Sequence, residues 1–157
     1  MNRFYDSSGD LSTQLSPWLC KVMGFDPKLS IFRLEAPLRF RSDIAGGDIV
    51  VPVGFLSDLA SIPRVAWTLF ADPDANFMEM GAWIHDLLYQ NVGVVPILND
   101  PVVGWVHLSR KDADRVLAFE AMPDLGAAKW QQDFVYWALR LGGKSSWNTS
   151  PPKVRWG

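Results

Sequence analysis

The sequence predicts an α+β domain, in which a small antiparallel strand pair or sheet over about residues 30–54 packs on three main α-helices over about 75–90, 110–122 and 127–141. Three observations carry that expectation. β-Branched residues cluster between turn signals around residues 49–53, a pattern that suits strands. Three later stretches space their apolar residues at three, four and seven positions, the period of a helix with one apolar stripe. The 157 residues, 48% hydrophobic and 20% charged, have the size and composition of one globular unit with one core. We place that domain at residues 1–143 and an extended tail rich in Pro, Ser and Trp at 144–157.

Residues 1–30 show no clean period and read as an irregular, weakly structured lead-in. From Ser30 to Arg41 the run Ile31, Arg33, Glu35 with Leu34, Leu38 and Phe40 suits a strand or two broken at Pro37. Gly46-Gly47-Asp48 then turns the chain into Ile49-Val50-Val51-Pro52-Val53, which gives an antiparallel pair. Ser61 and Pro63 suit the start of a short helix, since Ser caps orphan N–H groups and Pro lacks one at a position where it has no intrahelical partner. Asp74 or Asn76 can open the first long helix, which places Met78, Ala82, His85 and Tyr89 on one face. Residues 91–106 read as a loop or a short hairpin. Ser109 and Asp112 form the S-x-x-D of a capping box, so Asp112 has a structural task, whereas Asp114 lines up with Leu117, Ala118 and Ala121 near the buried face. Pro123 and Gly126 end that helix. The last one carries Trp130, Phe134, Trp137 and Leu141 along an apolar stripe and stops at Gly142-Gly143.

Composition narrows the function. A net charge of −2 without a Lys/Arg cluster argues against nucleic acid as the partner, because phosphate binding needs concentrated positive charge. The single Cys20 has no intramolecular partner for a disulfide, and its apolar neighbours point to a buried, inert thiol. Neither a signal-peptide core nor a stretch of about 20 apolar residues is present, so no transmembrane segment is expected and a cytoplasm is the expected compartment. Eight Trp and nine Phe exceed what the core needs, which points to aromatic residues at a groove or interface, with Trp147 and Trp156 the first candidates.

The chemistry-bearing run is Trp83-Ile84-His85-Asp86-Leu87-Leu88-Tyr89. It sets an imidazole that titrates near neutrality beside a carboxylate, with a phenol one turn on. Asp114 on the next helix is the natural partner for His85, and Asp58 comes from a separate upstream motif. The same set also suits a buried polar seam between two helices, and Asp58 equally suits a cap of the turn from Ser57 to Ser61. Arg64 and Arg110 can bind a substrate anion or pair with these carboxylates.

Two resemblances attach to those residues. Residues 51–64, Val-Pro-Val-Gly-Phe-Leu-Ser-Asp-Leu-Ala-Ser-Ile-Pro-Arg, with His85-Asp86-Leu87-Leu88-Tyr89 and Ser109-Arg110 leading to Ala113-Asp114, resemble a domain-of-unknown-function family common in tailed bacteriophages and prophages. The likeness covers about residues 30–143 and implies a phage or prophage source, with virion proteins or a host envelope component as partners. The His-Asp helix is also similar to that of phospholipases of the A-two class. That likeness implies His85 as the base that activates water, Asp114 as the carboxylate orienting it, Tyr89 as a partner of Asp114, and Asp86 as a calcium ligand. Asp58 is then a further oxygen ligand for a divalent cation, calcium or zinc. The chain lacks the glycine-rich calcium loop and the paired cysteines of the secreted enzymes. The expected activity is a metal-assisted hydrolase-like one on a lipid or cell-envelope ester or amide. The competing expectation is a non-catalytic virion or assembly protein with the same residues in a structural polar network.

Overall fold

The structure is a computed structural model that describes residues 3–5, 12–28, 30–59, 62, 66, 77–99 and 102–149. It is mixed α+β, with two antiparallel sheets and a layer of helices. The larger sheet has the order β1-β4-β5-β7-β8, formed by Phe4–Tyr5, Leu38–Ser42, Gly47–Val51, Val94–Asn99 and Val102–His107. The smaller has the order β2-β3-β6, formed by Ser12–Gln14, Phe32–Leu34 and Leu56–Ser57. The helices are α1 (Pro17–Val22), α2 (Phe77–Gln90), α3 (Arg110–Arg115), α4 (Met122–Asp124), α5 (Lys129–Gly142) and α6 (Ser146–Thr149). Among the described residues no helix is long and apolar enough to cross a membrane.

The strand pair expected around residues 30–54 is the β4-β5 hairpin, in which Leu38 faces Val51, Phe40 faces Ile49 and Ser42 faces Gly47. Its period-two pattern turns Leu38, Phe40, Ile49 and Val51 into the main core, where they meet Trp83, Ile84, Leu87 and Leu88 from α2. On the other face Asp48 is buried but answered by two guanidinium groups, Arg39 Nε at 2.5 Å and Arg41 Nη1 at 3.1 Å. Residues 94–107 resolve the choice left open there: β7 and β8 form a hairpin and extend the sheet. The turn into β7 uses left-handed backbone at Val92 and Gly93, and a side chain at Gly93 would strike the Leu108 carbonyl.

Three sequence expectations are corrected. The lead-in is structured: β1 and β2 add to the two sheets, and α1 starts at Ser16, whose hydroxyl accepts the Leu19 N–H, followed by Pro17 at the first turn. These pieces are only two to six residues long and draw their stability from distant partners, so no local period marks them. The tail is not extended over its first part, because α6 packs Trp147 edge-on to Tyr89 with ring centroids 5.0 Å apart. Trp147 is therefore half-buried and is not a surface anchor, while Trp156 lies outside the described residues. The apolar stripe Trp130, Phe134, Trp137 and Leu141 faces outward, and α5 seats Val135 and Leu139 in the core. The expected helix starts at Ser61 and at Asp74 or Asn76 fall outside the described residues.

Between α3 and α4 the chain runs through a π-helical segment, Val116–Ala121, in which the Met122 N–H donates to the Leu117 carbonyl five residues back. Pro123 follows and supplies no N–H, so the wider turn sits where the ordinary ladder is already interrupted. The segment places Glu120 under the β4-β5 turn. There its carboxylate accepts from Ser42 Oγ at 2.6 Å, Asp43 N at 2.9 Å and Ile44 N at 3.2 Å. Cys20 is fully buried with Leu15, Ile31 and Leu56 in a second, smaller apolar cluster.

Candidate functional site

Helix α2 presents His85, Asp86 and Tyr89 inward, because the apolar spacing of Ala82, Trp83, Leu87 and Leu88 turns every residue from Gly81 to Gln90 toward a neighbour. Helix α3 starts where Ser109 caps it, its hydroxyl accepting the Asp112 N–H at 3.1 Å. That start fixes the rotation of α3 and delivers Asp114 to α2. His85 Nε2 lies 3.1 Å from Asp114 Oδ1, and the Tyr89 hydroxyl donates to the same oxygen at 2.5 Å. The His85 and Tyr89 rings lie 4.1 Å apart, centroid to centroid. Both His85 and Asp114 are 0% exposed.

The second oxygen of Asp114 is held from α5, where Arg140 Nη1 donates at 2.8 Å, with Arg110 Nη1 3.7 Å away. Arg110 directs its guanidinium mainly at the end of α5, donating to the carbonyls of Leu139 at 3.1 Å and Arg140 at 3.4 Å. The Leu139 carbonyl also accepts the Gly143 N–H at 2.8 Å, and the helix dipole favours a cation at that end. Of the two arginines expected at a substrate, Arg110 is thus engaged within the fold, and Arg64 lies outside the described residues.

Charge states follow from these contacts. Burial raises the Asp114 carboxyl, but hydrogen bonds from His85, Tyr89 and Arg140 outweigh it and hold the group below the usual carboxylate range. Burial pushes the His85 imidazole below its ordinary value, against the pull of Asp114 and with the help of Arg110. Burial and the Asp114 charge together push the Tyr89 phenol well above its ordinary range. The arrangement is a neutral imidazole beside an ionised carboxylate. Because a carboxylate only accepts, the proton of His85 sits on Nε2 and the lone pair on Nδ1.

The upstream motif meets the same helix through different atoms. Ser57 Oγ donates to Asp86 Oδ2 and accepts the Leu59 N–H at 2.9 Å, while Gln90 Nε2 donates to the Leu56 carbonyl at 3.1 Å. Leu59 has a φ of 53°, a left-handed conformation uncommon for a side chain of its size, so the bend after Ser57 and Asp58 is held against local preference. It is Ser57 that reaches Asp86, and Asp58 follows it half-buried in the bend. Among the described residues no three His, Cys, Asp or Glu side chains converge as a cation site. His107 is exposed at the end of β8, whereas His85 is enclosed.

Sequence reasoning missed Ser57 and Arg140 at the site, and Glu120 away from it under the β4-β5 turn. Arg140 stands at the edge of the buried face of α5, beside Leu139, and its signal was a charge flanking a core residue. Glu120 was signalled by a carboxylate in an otherwise apolar run from Val116 to Met122, and its partners lie 76 to 78 residues away.

A protein-family model described as "Protein of unknown function (DUF1353)" matches residues 32–139. That span takes in all three motifs read from the sequence, together with Ser57, Asp86, His85, Tyr89 and Asp114. Neither the curated proteins nor the solved structures give a match.

Proposed function

The chain belongs to the DUF1353 family of unknown function, and we propose that it is a phage-encoded hydrolase-like protein whose general base is His85. The observation that carries this reading is the 3.1 Å contact between His85 Nε2 and Asp114 Oδ1, with Asp114 itself fixed by Tyr89 and Arg140. Asp114 and Tyr89 are positioning residues in this scheme. His85 Nδ1 removes a proton from water as the water oxygen attacks the carbonyl carbon of an ester or amide. The imidazolium formed is stabilised by the adjacent carboxylate. When the tetrahedral intermediate collapses, the bond from carbon to the leaving oxygen or nitrogen breaks, and Nδ1 returns its proton to that atom. A lipid or cell-envelope ester or amide is the substrate class, on the strength of the likeness to phospholipases of the A-two class. The host cytoplasm or the virion is the place of action, on the strength of the likeness to phage proteins.

For the divalent cation expected at Asp86 and Asp58, Asp86 Oδ2 accepts from the Ser57 hydroxyl, and among the described residues no three His, Cys, Asp or Glu side chains converge. The scheme routes no step through a metal. It does require local opening, since His85 is enclosed, and openings of that kind are ordinary for binding sites.

That same enclosure favours a second reading, a non-catalytic virion or assembly protein. Ser57 to Asp86, His85 and Tyr89 to Asp114, and Arg140 to Asp114 join β6, α2, α3 and α5, and a satisfied buried network can specify one packing without chemistry. Wild type, His85→Gln and His85→Ala separate the two when assayed for folding and for hydrolysis of a lipid and envelope ester and amide panel, with calcium, zinc or chelator. The enzymatic reading expects wild-type turnover and a folded, inactive His85→Gln. No turnover by wild type on any substrate, with both variants losing only stability, leaves the structural reading standing.

A further inference from the structure

We propose that α5 is a homodimer interface, pairing antiparallel with α5 of a second copy. The helix leaves Trp130 59%, Phe134 39%, Trp137 61% and Leu141 85% exposed, beside a shallow groove of about 430 Å³ lined by Asp133, Phe134, Trp137, Ala138 and Leu141. These four side chains stand four, three and four positions apart, the alternation of the a and d positions of a heptad seam. The chain buries α5 through Val135 and Leu139, so its longest apolar stripe is not the one its own core uses. A stripe of that spacing matches another helix.

Three features point to a second copy. An antiparallel pair turning about a point between Phe134 and Trp137 sets Phe134 opposite Trp137 and Trp130 opposite Leu141, twice each by symmetry, so each layer combines a Trp with a smaller side chain. The flanks are complementary in the same alignment. Asp133 falls beside Arg140 of the other copy, which keeps 24% of its side chain exposed while bonding Asp114, and Gln131 falls beside Ala138. A parallel alignment sets Asp133 beside Ala138 and leaves both charges without a partner across the seam. Finally, the four side chains expose on the order of 500 Å² per copy, so two copies cover roughly 1,000 Å² before any flanking residue is added, close to the ~1,200 Å² at which stable interfaces begin.

The test is sedimentation velocity of the full chain over about 1–100 μM, a span that reaches weak micromolar association. The proposal expects a monomer–dimer equilibrium. Trp137→Glu, at an exposed position, weakens association at least about tenfold, as loss of a central Trp does, with an unchanged far-ultraviolet spectrum. Asp133→Arg weakens it as well, by facing Arg140 of the second copy. For orientation, Gln131→Cys and Ala138→Cys are made separately in a Cys20→Ser background, checked for folding, and oxidised alone or mixed. Antiparallel pairing cross-links only the mixture. A monomer throughout the range, as expected if another protein or a lipid surface covers the stripe, overturns the proposal. A dimer indifferent to Trp137→Glu, or cross-links within either single-cysteine protein, does the same.

Discussion

Replacing Asp114 with Ala removes the acceptor on which two helices converge. His85 Nε2–H and the Tyr89 hydroxyl, both enclosed, lose their partner at once. Leaving a buried donor unsatisfied costs about 1–3 kcal/mol each. Arg140 retains some exposure and can turn toward water, so its ion pair adds little. The expected loss is about 3–5 kcal/mol, the range for removing one partner of a buried pair. For a chain of this length each kcal/mol lowers Tm by about 2–4 °C, so the fall is roughly 6–20 °C. Urea unfolding followed by tryptophan fluorescence reads the free energy, and calorimetry reads Tm. Asp114→Asn keeps an acceptor oxygen and loses less than Asp114→Ala. A loss below about 1 kcal/mol for Asp114→Ala, with the wild-type urea slope, refutes the idea that this carboxylate holds α2 to α3.

Three further outcomes follow from the same contacts. His85 has a depressed pKa when folded, so the unfolded chain binds its proton first as pH falls, and stability present above about 6.5 declines below it. Asp114, also depressed, adds a further loss only below its unfolded value near 3.8, so His85→Gln flattens the stability profile between about pH 5 and 7 and leaves the more acidic limb. Glu120→Ala strips three hydrogen bonds from the β4-β5 turn and lowers stability by about 2–4 kcal/mol in urea unfolding, while Asp124→Ala, which loses one bond to Arg3 N, changes it by less than about 1.5 kcal/mol. Gly143→Ala brings a methyl within 2.6 Å of the Leu139 carbonyl and 2.8 Å of the Tyr89 hydroxyl. It is expected to lower Tm by several degrees, at about 1–3 kcal/mol, and to shift the Tyr89 side-chain resonances.

The parts of this fold that repeat a local period were legible in the sequence. The β4-β5 pair showed alternating apolar residues around a Gly-Gly turn, and α2, α3 and α5 showed helical spacing with recognisable stops. Asp112 and Asp114 were separable because a cap and a buried face make different demands two residues apart. The short strands β1, β2 and β6 were not legible, since their partners lie elsewhere in the chain and a strand of two or three residues has no period to show. The outward turn of α5 was hidden for a different reason. Spacing reveals that a helix has an apolar stripe and says nothing about which molecule covers it. Arg140 was missed because its partner, Asp114, sits 26 residues away on another helix.

The central claim is that Asp114 holds His85 as a neutral base with its lone pair on Nδ1. Nitrogen-15 spectroscopy of the His85 ring across pH tests that claim most directly, because protonated and unprotonated ring nitrogens resonate far apart. The account expects the Nε2–H tautomer at neutral pH and a midpoint below the ordinary imidazole value of about 6.5. It also expects the tautomer preference to weaken in Asp114→Asn. An Nδ1–H tautomer, or an imidazolium already formed at neutral pH, contradicts it.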